Sequence, residues 1–130
     1  MKLKCLIIED VLFIREIYKY TLRAEHYQIV GEATDGIDAL TKISSLQPDI
    51  VILDLILPQK NGLDVLKEAH ALSPHTRYLV VSSLDDQAVM DQAKALGAIE
   101  YIVKPFTRQQ LSAALGRISE NYGDVQHGWA

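Results

Sequence analysis

At 130 residues the chain is long enough for one domain that buries about two-thirds of its unfolded surface. With 48% hydrophobic and 23% charged residues it has the balance of a soluble globular protein, and no apolar run approaches the roughly 18 residues that span a bilayer. A net charge of −4, from 17 acids and 13 bases, argues against direct nucleic-acid binding as its main business.

Residues 3–8 (Leu-Lys-Cys-Leu-Ile-Ile) predict a first strand ending in Glu9-Asp10. Cys5 is the single cysteine and cannot form an internal disulfide, so buried packing and a reducing cytoplasm are expected. The N-terminus lacks a signal peptide's long apolar stretch and small-residue cleavage site. Ile14, Ile17, Tyr18, Thr21 and Leu22 then recur at helical spacing. Gln28 to Ala33 predicts a second strand, stopped by the turn pair Asp35-Gly36. Ile37, Leu40 and Ile43 mark a second helix, and Pro48 closes the link into the next strand.

That third strand, Ile50 to Leu53, is an apolar run ending abruptly in Asp54, the pattern of a strand buried on both faces. Pro58 and Asn61-Gly62 punctuate the loop after it. Leu66, Ala69 and Leu72 mark a third helix, and Tyr78 to Val81 a fourth strand running into Ser82-Ser83. Asp85 and Asp86 suit the N-terminus of a fourth helix with Val89, Ala93 and Leu96 inward, stopped by Gly97. Ile99 to Val103 is the fifth strand, ending in Lys104-Pro105. Thr107 with Gln110 reads as a capping box for a fifth helix that buries Leu111, Leu115, Ile118 and Tyr122. A disordered tail is expected over residues 123–130, leaving one domain over residues 1–122.

Strictly alternating strands and short-linked helices predict an α/β fold with a doubly wound, five-stranded parallel sheet covered on both faces. In the flavodoxin-like order 2-1-3-4-5, the first and third strands flank the switch point where ligands bind, beyond the carboxyl ends of the strands. Glu9, Asp10, Asp54, Ser82 and Lys104 all stand at such ends. Singly, each has a bland reading: a helix cap for Asp54 or Ser82, a solvated strand end for Lys104, an edge aromatic for Tyr101. Together they form a site. Three close carboxylates repel by roughly 1–4 kcal/mol per pair, which calls for a cation, and their hard oxygens suit Mg²⁺. Lys104 and Ser82 are the point charge and hydroxyl that a phosphoryl group requires.

With these residues in place, the chain resembles the receiver (phosphoacceptor) domain of bacterial two-component response regulators, of the single-domain chemotaxis type, from residue 3 to about 122. The matching elements are Glu9-Asp10, Asp54 with Pro58 and Gly62, Ser82-Ser83, Tyr101 and Lys104-Pro105-Phe106. A member of this family is among the proteins behind the 2-1-3-4-5 rule, so the two inferences are not independent. The resemblance implies that Asp54 accepts a phosphoryl group from a sensor histidine kinase or histidine phosphotransfer protein, with Mg²⁺ as cofactor. It implies that Asp10 and Asp54 bind the metal directly, Glu9 through water and Ile56 by its backbone carbonyl. Ser82 and Lys104 would contact the phosphoryl oxygens, and Tyr101 would turn inward with Ser82 as the switch. The Lys104-Pro105 bond is expected to be cis.

A haloacid-dehalogenase-type phosphatase also uses a strand-end Asp, but it needs a general acid two residues on, where Ile56 stands. A flavin module on the same fold needs a hydroxyl-rich loop after the first strand, where Glu9-Asp10 would repel a phosphate. No multiple-turnover enzyme is therefore expected, no membrane partner and no direct nucleic-acid partner. The expected partners are the phosphodonor protein, a downstream target or output domain, and a second copy in a phosphorylation-dependent homodimer.

Overall fold

The computed structural model describes residues 2–127, with side chains through residue 120. Strand and helix alternate throughout: β1 (Lys4–Ile8), α1 (Leu12–Ala24), β2 (Gln28–Ala33), α2 (Gly36–Leu46), β3 (Ile50–Leu53), α3 (Gly62–Leu72), β4 (Arg77–Ser82), α4 (Gln87–Ala95), β5 (Ala98–Val103) and α5 (Arg108–His127). The five strands pair in parallel in the order β2-β1-β3-β4-β5, the flavodoxin-like arrangement expected from the sequence.

All four residues of β3 are fully buried, because a central parallel strand has helices on both of its faces. The period of two divides the sheet's side chains between two cores. Leu6, Ile8, Val51, Leu53 and Val80 meet Ala39, Ile43, Val65, Leu66 and Ala69 from α2 and α3. Cys5, Ile7, Ile50, Ile52, Leu79 and Val81 meet Tyr18 and Leu22 of α1 and Leu111, Leu115 and Ile118 of α5. Full burial of each such aliphatic side chain contributes about 1.5–3 kcal/mol, and a one-residue register slip would send every one to the wrong layer.

Helix starts follow the capping chemistry. Asp35, Asn61 and Asp86 accept backbone bonds from Asp38, Asp64 and Ala88 at the starts of α2, α3 and α4. Thr107 and Gln110 form the reciprocal capping box, with N–O distances of 2.7 and 3.1 Å. Gly97 ends α4 with a φ of +111°, a conformation open to glycine. The Lys104-Pro105 peptide is cis.

Two helix faces differ from the sequence reading. Ile37 is 54% exposed and Leu72 is 38% exposed, while Gly36, Ala39 and Val65 take the buried positions. Ile43, Leu66 and Ala69 are buried as expected and Leu40 packs against the core, so only the two end positions of the predicted faces, Ile37 and Leu72, fall outside the stripe. β4 and β5 each begin one residue earlier than expected, an ordinary uncertainty at strand ends. Tyr122 and the tail expected over residues 123–130 lie outside the residues whose side chains are described.

Candidate functional site

Each site residue hangs on the last rung of the parallel ladder. The Glu9 amide donates to Ala33 O at 3.0 Å, the Asp54 amide to Ile8 O at 3.0 Å, and the Lys104 amide to Ser82 O at 2.8 Å. Backbone pairing therefore continues one residue past the regular strands and sets Glu9 beside Asp54. A second device orients the side chains. Val11 N donates to Glu9 Oε2 at 3.1 Å, Ile56 N to Asp54 Oδ1 at 3.0 Å, and Leu84 N to Ser82 Oγ at 3.3 Å. At three strand ends the same i+2 amide clasps the functional side chain, the local turn chemistry that short polar side chains favour.

Glu9 is fully buried, Asp54 is 5% exposed and Ser82 is fully buried, whereas Asp10 reaches solvent. Lys104 Nζ bridges Glu9 Oε1 at 2.7 Å and Asp54 Oδ2 at 3.0 Å. Burial works against the ammonium, but these two partners outweigh it and hold Lys104 above its ordinary range. Burial pushes the Glu9 carboxyl up, opposed by Lys104 and the Val11 amide and aided by the Asp54 charge.

One carboxylate oxygen each from Glu9, Asp10 and Asp54 lies within 4.8 Å of the other two. Three negative charges against the single Lys104 charge leave two uncompensated, the amount that a divalent cation neutralises. The donor set is all oxygen and open to solvent at Asp10. These residues fit Mg²⁺ rather than a soft metal.

The model of the response regulator receiver domain matches residues 5–116. The chain belongs to the response regulator receiver family. It is 36% identical over 117 residues to the chemotaxis protein CheY of Thermotoga maritima, covering 90% of this chain and 98% of that protein. The response regulator domain of Thermotoga maritima CheB superposes with a TM-score of 0.83 at 29% identity, over 95% of this chain and 98% of that one. The CheX-CheY-BeF3-Mg²⁺ complex from Borrelia burgdorferi, at 24% identity, shares the fold with a TM-score of 0.86 over 89% and 88% of the chains. This receiver is a two-component signalling domain.

In the receiver, the hydroxyl of half-buried Tyr101 donates to Leu84 O at 2.6 Å, tying β5 to the loop that carries Ser82's clasp. Phe106, just past Lys104-Pro105, stacks on Tyr18 with centroids 5.8 Å apart, so α1 holds the segment that presents Lys104. Phe13, Ile14, Ile17, Pro105, Phe106 and Arg108 line a groove of about 610 Å³ that reaches Ser83 and Lys104. Glu9, Asp10, Asp54, Ser82 and Lys104 therefore lie at one rim of the sheet, and Tyr101 stands two residues before the end of β5.

Arg15 escaped the sequence reading. Its Nη1 donates to Glu9 O at 3.0 Å and its Nε to Glu32 Oε1 at 3.0 Å, pinning the end of β1 to β2. Its place in α1 offered only a charge on a polar face, and the contact depends on the pairing of β1 with β2. Among the described residues no helix is long and apolar enough to cross a membrane.

Proposed function

We propose that Asp54 accepts a phosphoryl group from a phosphohistidine on a sensor histidine kinase or histidine phosphotransfer protein, in a Mg²⁺-dependent reaction. The observation that carries this reading is the geometry of Asp54. Its carboxylate follows the central strand, shares Lys104 with Glu9, and lies in one cluster with the Glu9 and Asp10 carboxylates. Asp10 and Asp54 would hold Mg²⁺ directly with the Ile56 carbonyl, and Glu9 through water. Mg²⁺ when bound neutralises charge on the phosphoryl oxygens.

A carboxylate oxygen of Asp54 attacks phosphorus; the P–N bond breaks and its electron pair goes to the imidazole. Lys104, bonded to Asp54 Oδ2 at 3.0 Å, and the Ser82 hydroxyl would donate to the transferred oxygens. As Ser82 moves, the Leu84 amide that it holds and the Tyr101 bond to Leu84 O move with it. The switch then reads out on α4, β5 and α5, where Tyr101, Val103, Gln110 and Arg117 line a shallow cleft. That face is the docking surface for a target or for a second copy.

The groove beside Phe13 suits an amphipathic helix of the phosphodonor protein. A cytoplasmic setting agrees with the free, buried Cys5. A phosphatase of the haloacid-dehalogenase type has no support here: Ile56 stands where the general acid would be. Intact-mass spectrometry after incubation with acetyl phosphate and Mg²⁺ tests the proposal. One phosphate adduct is expected, absent in Asp54→Asn and absent in excess chelator; an adduct in either condition refutes the assignment.

A further inference from the structure

We propose that the Asp35–Gly36 step at the start of α2 is a positioning element for the divalent-cation site, acting through the loop that follows Asp54. The inference rests on the metal-assisted reading given above. Residues 55–61 are gripped between two helix starts. On one side Gly62 N donates to Leu55 O at 2.8 Å, and a Cβ on Gly62 would stand 2.5 Å from Asp54 O. On the other side Gly36 N donates to Pro58 O at 3.1 Å, an oxygen that also accepts from Lys60 N at 2.8 Å. A Cβ on Gly36 would stand 1.9 Å from Lys60 O, closer than any side chain allows.

Gly36 needs no special backbone conformation, and among the described glycines only Gly97 has a positive φ. Alanine is the better helix former, so local preference alone would favour it at this position. Glycine serves the approach of the loop. Gln59, with a φ of +70°, sits at the turn that this contact fixes.

What the loop carries makes the contact functional. Ile56 N holds Asp54 Oδ1 at 3.0 Å, so a displaced loop turns the Asp54 carboxylate. The same residue supplies the carbonyl assigned above as a metal ligand. Asp35 in turn fixes the start of α2 by accepting from Asp38 N at 2.7 Å, and it lies outside the carboxylate cluster of Glu9, Asp10 and Asp54. The path runs from the Asp35 cap through Gly36, Pro58 and Lys60 to Ile56 and the site.

Calorimetric titration of the full chain with Mg²⁺ tests the path. Asp35→Ala frees the α2 terminus and should weaken Mg²⁺ binding about fivefold, the equivalent of about 1 kcal/mol for a lost cap. Asp35→Asn removes the same charge but caps as well, so it should bind within about twofold of wild type. Gly36→Ala should weaken binding further, by about tenfold or more, by displacing Lys60. Ser44→Gly weakens α2 on its exposed side without touching the loop and should leave affinity unchanged. The Asp35 pair carries the test even if Gly36→Ala fails to fold. Wild-type affinity in Asp35→Ala, or equal weakening in Asp35→Asn, overturns the positioning role; a wild type that binds no Mg²⁺ overturns the metal site itself.

Discussion

Val11, Ile56 and Leu84 each follow a site side chain by two residues, and each lends that side chain its amide. Their own side chains are left at the rim, 47%, 51% and 36% exposed. The backbone does the polar work and the side chains form an apolar collar. A collar of this kind shields a phosphoryl group from water and offers no amide or carboxylate to orient an attacking one. Autodephosphorylation should therefore be slow, with a lifetime on the order of minutes or longer. Replacing Ile56 by Asn and Leu84 by Gln should speed decay about tenfold, about 1.4 kcal/mol of barrier, without abolishing labelling. Decay followed after donor removal checks this; loss within seconds in wild type, or no gain in the double variant, contradicts it. Elsewhere at this scale, burial and then the Asp49 charge push the Cys5 thiol from 9.0 up to about 12. A raised folded pKa gives stability that is present below the unfolded value and lost as pH rises through the folded one. Denaturant midpoints should thus fall between pH 9 and 12, less steeply in Cys5→Ala, and native Cys5 should resist iodoacetamide near neutral pH. A midpoint equally steep in both proteins would contradict the assignment.

At the level of elements, α4 is the least anchored helix, with Ala93 its one buried residue, and the loop before it is held by Ser82 and Tyr101. Any pull on Ser82 should reorganise that loop. Amide exchange with and without beryllofluoride and Mg²⁺ should change across residues 82–106 and little in β1 or α2. Unchanged exchange there would remove the switch from this face. The starts of α4 and α5 were legible because caps are local: Asp86 and the Thr107–Gln110 pair act within three residues of themselves. Helix faces were less so. Whether Ile37 or Ala39 points inward depends on how closely α2 lies against its neighbours, and no spacing rule within one helix reports that distance.

For the whole molecule, β3 is apolar on both faces and the ends of β1, β3, β4 and β5 carry polar residues. That contrast is written in the chain, so a doubly wound parallel sheet with a polar rim could be read from it, whereas the order β2-β1-β3-β4-β5 came with the family resemblance. What could not be read was the bracing between distant segments: Arg15 on Glu9, Tyr18 on Phe106, Gly36 on Lys60. Those contacts exist only after the sheet is assembled, yet they hold the site in shape. The central claim is that this architecture makes Asp54 the residue that carries the phosphoryl group. Borohydride reduces an acyl phosphate to an alcohol, so phosphorylated protein treated with it and sequenced by tandem mass spectrometry records the modified residue directly. Homoserine at position 54 alone is the predicted result; homoserine at position 10, or at none, would contradict the account.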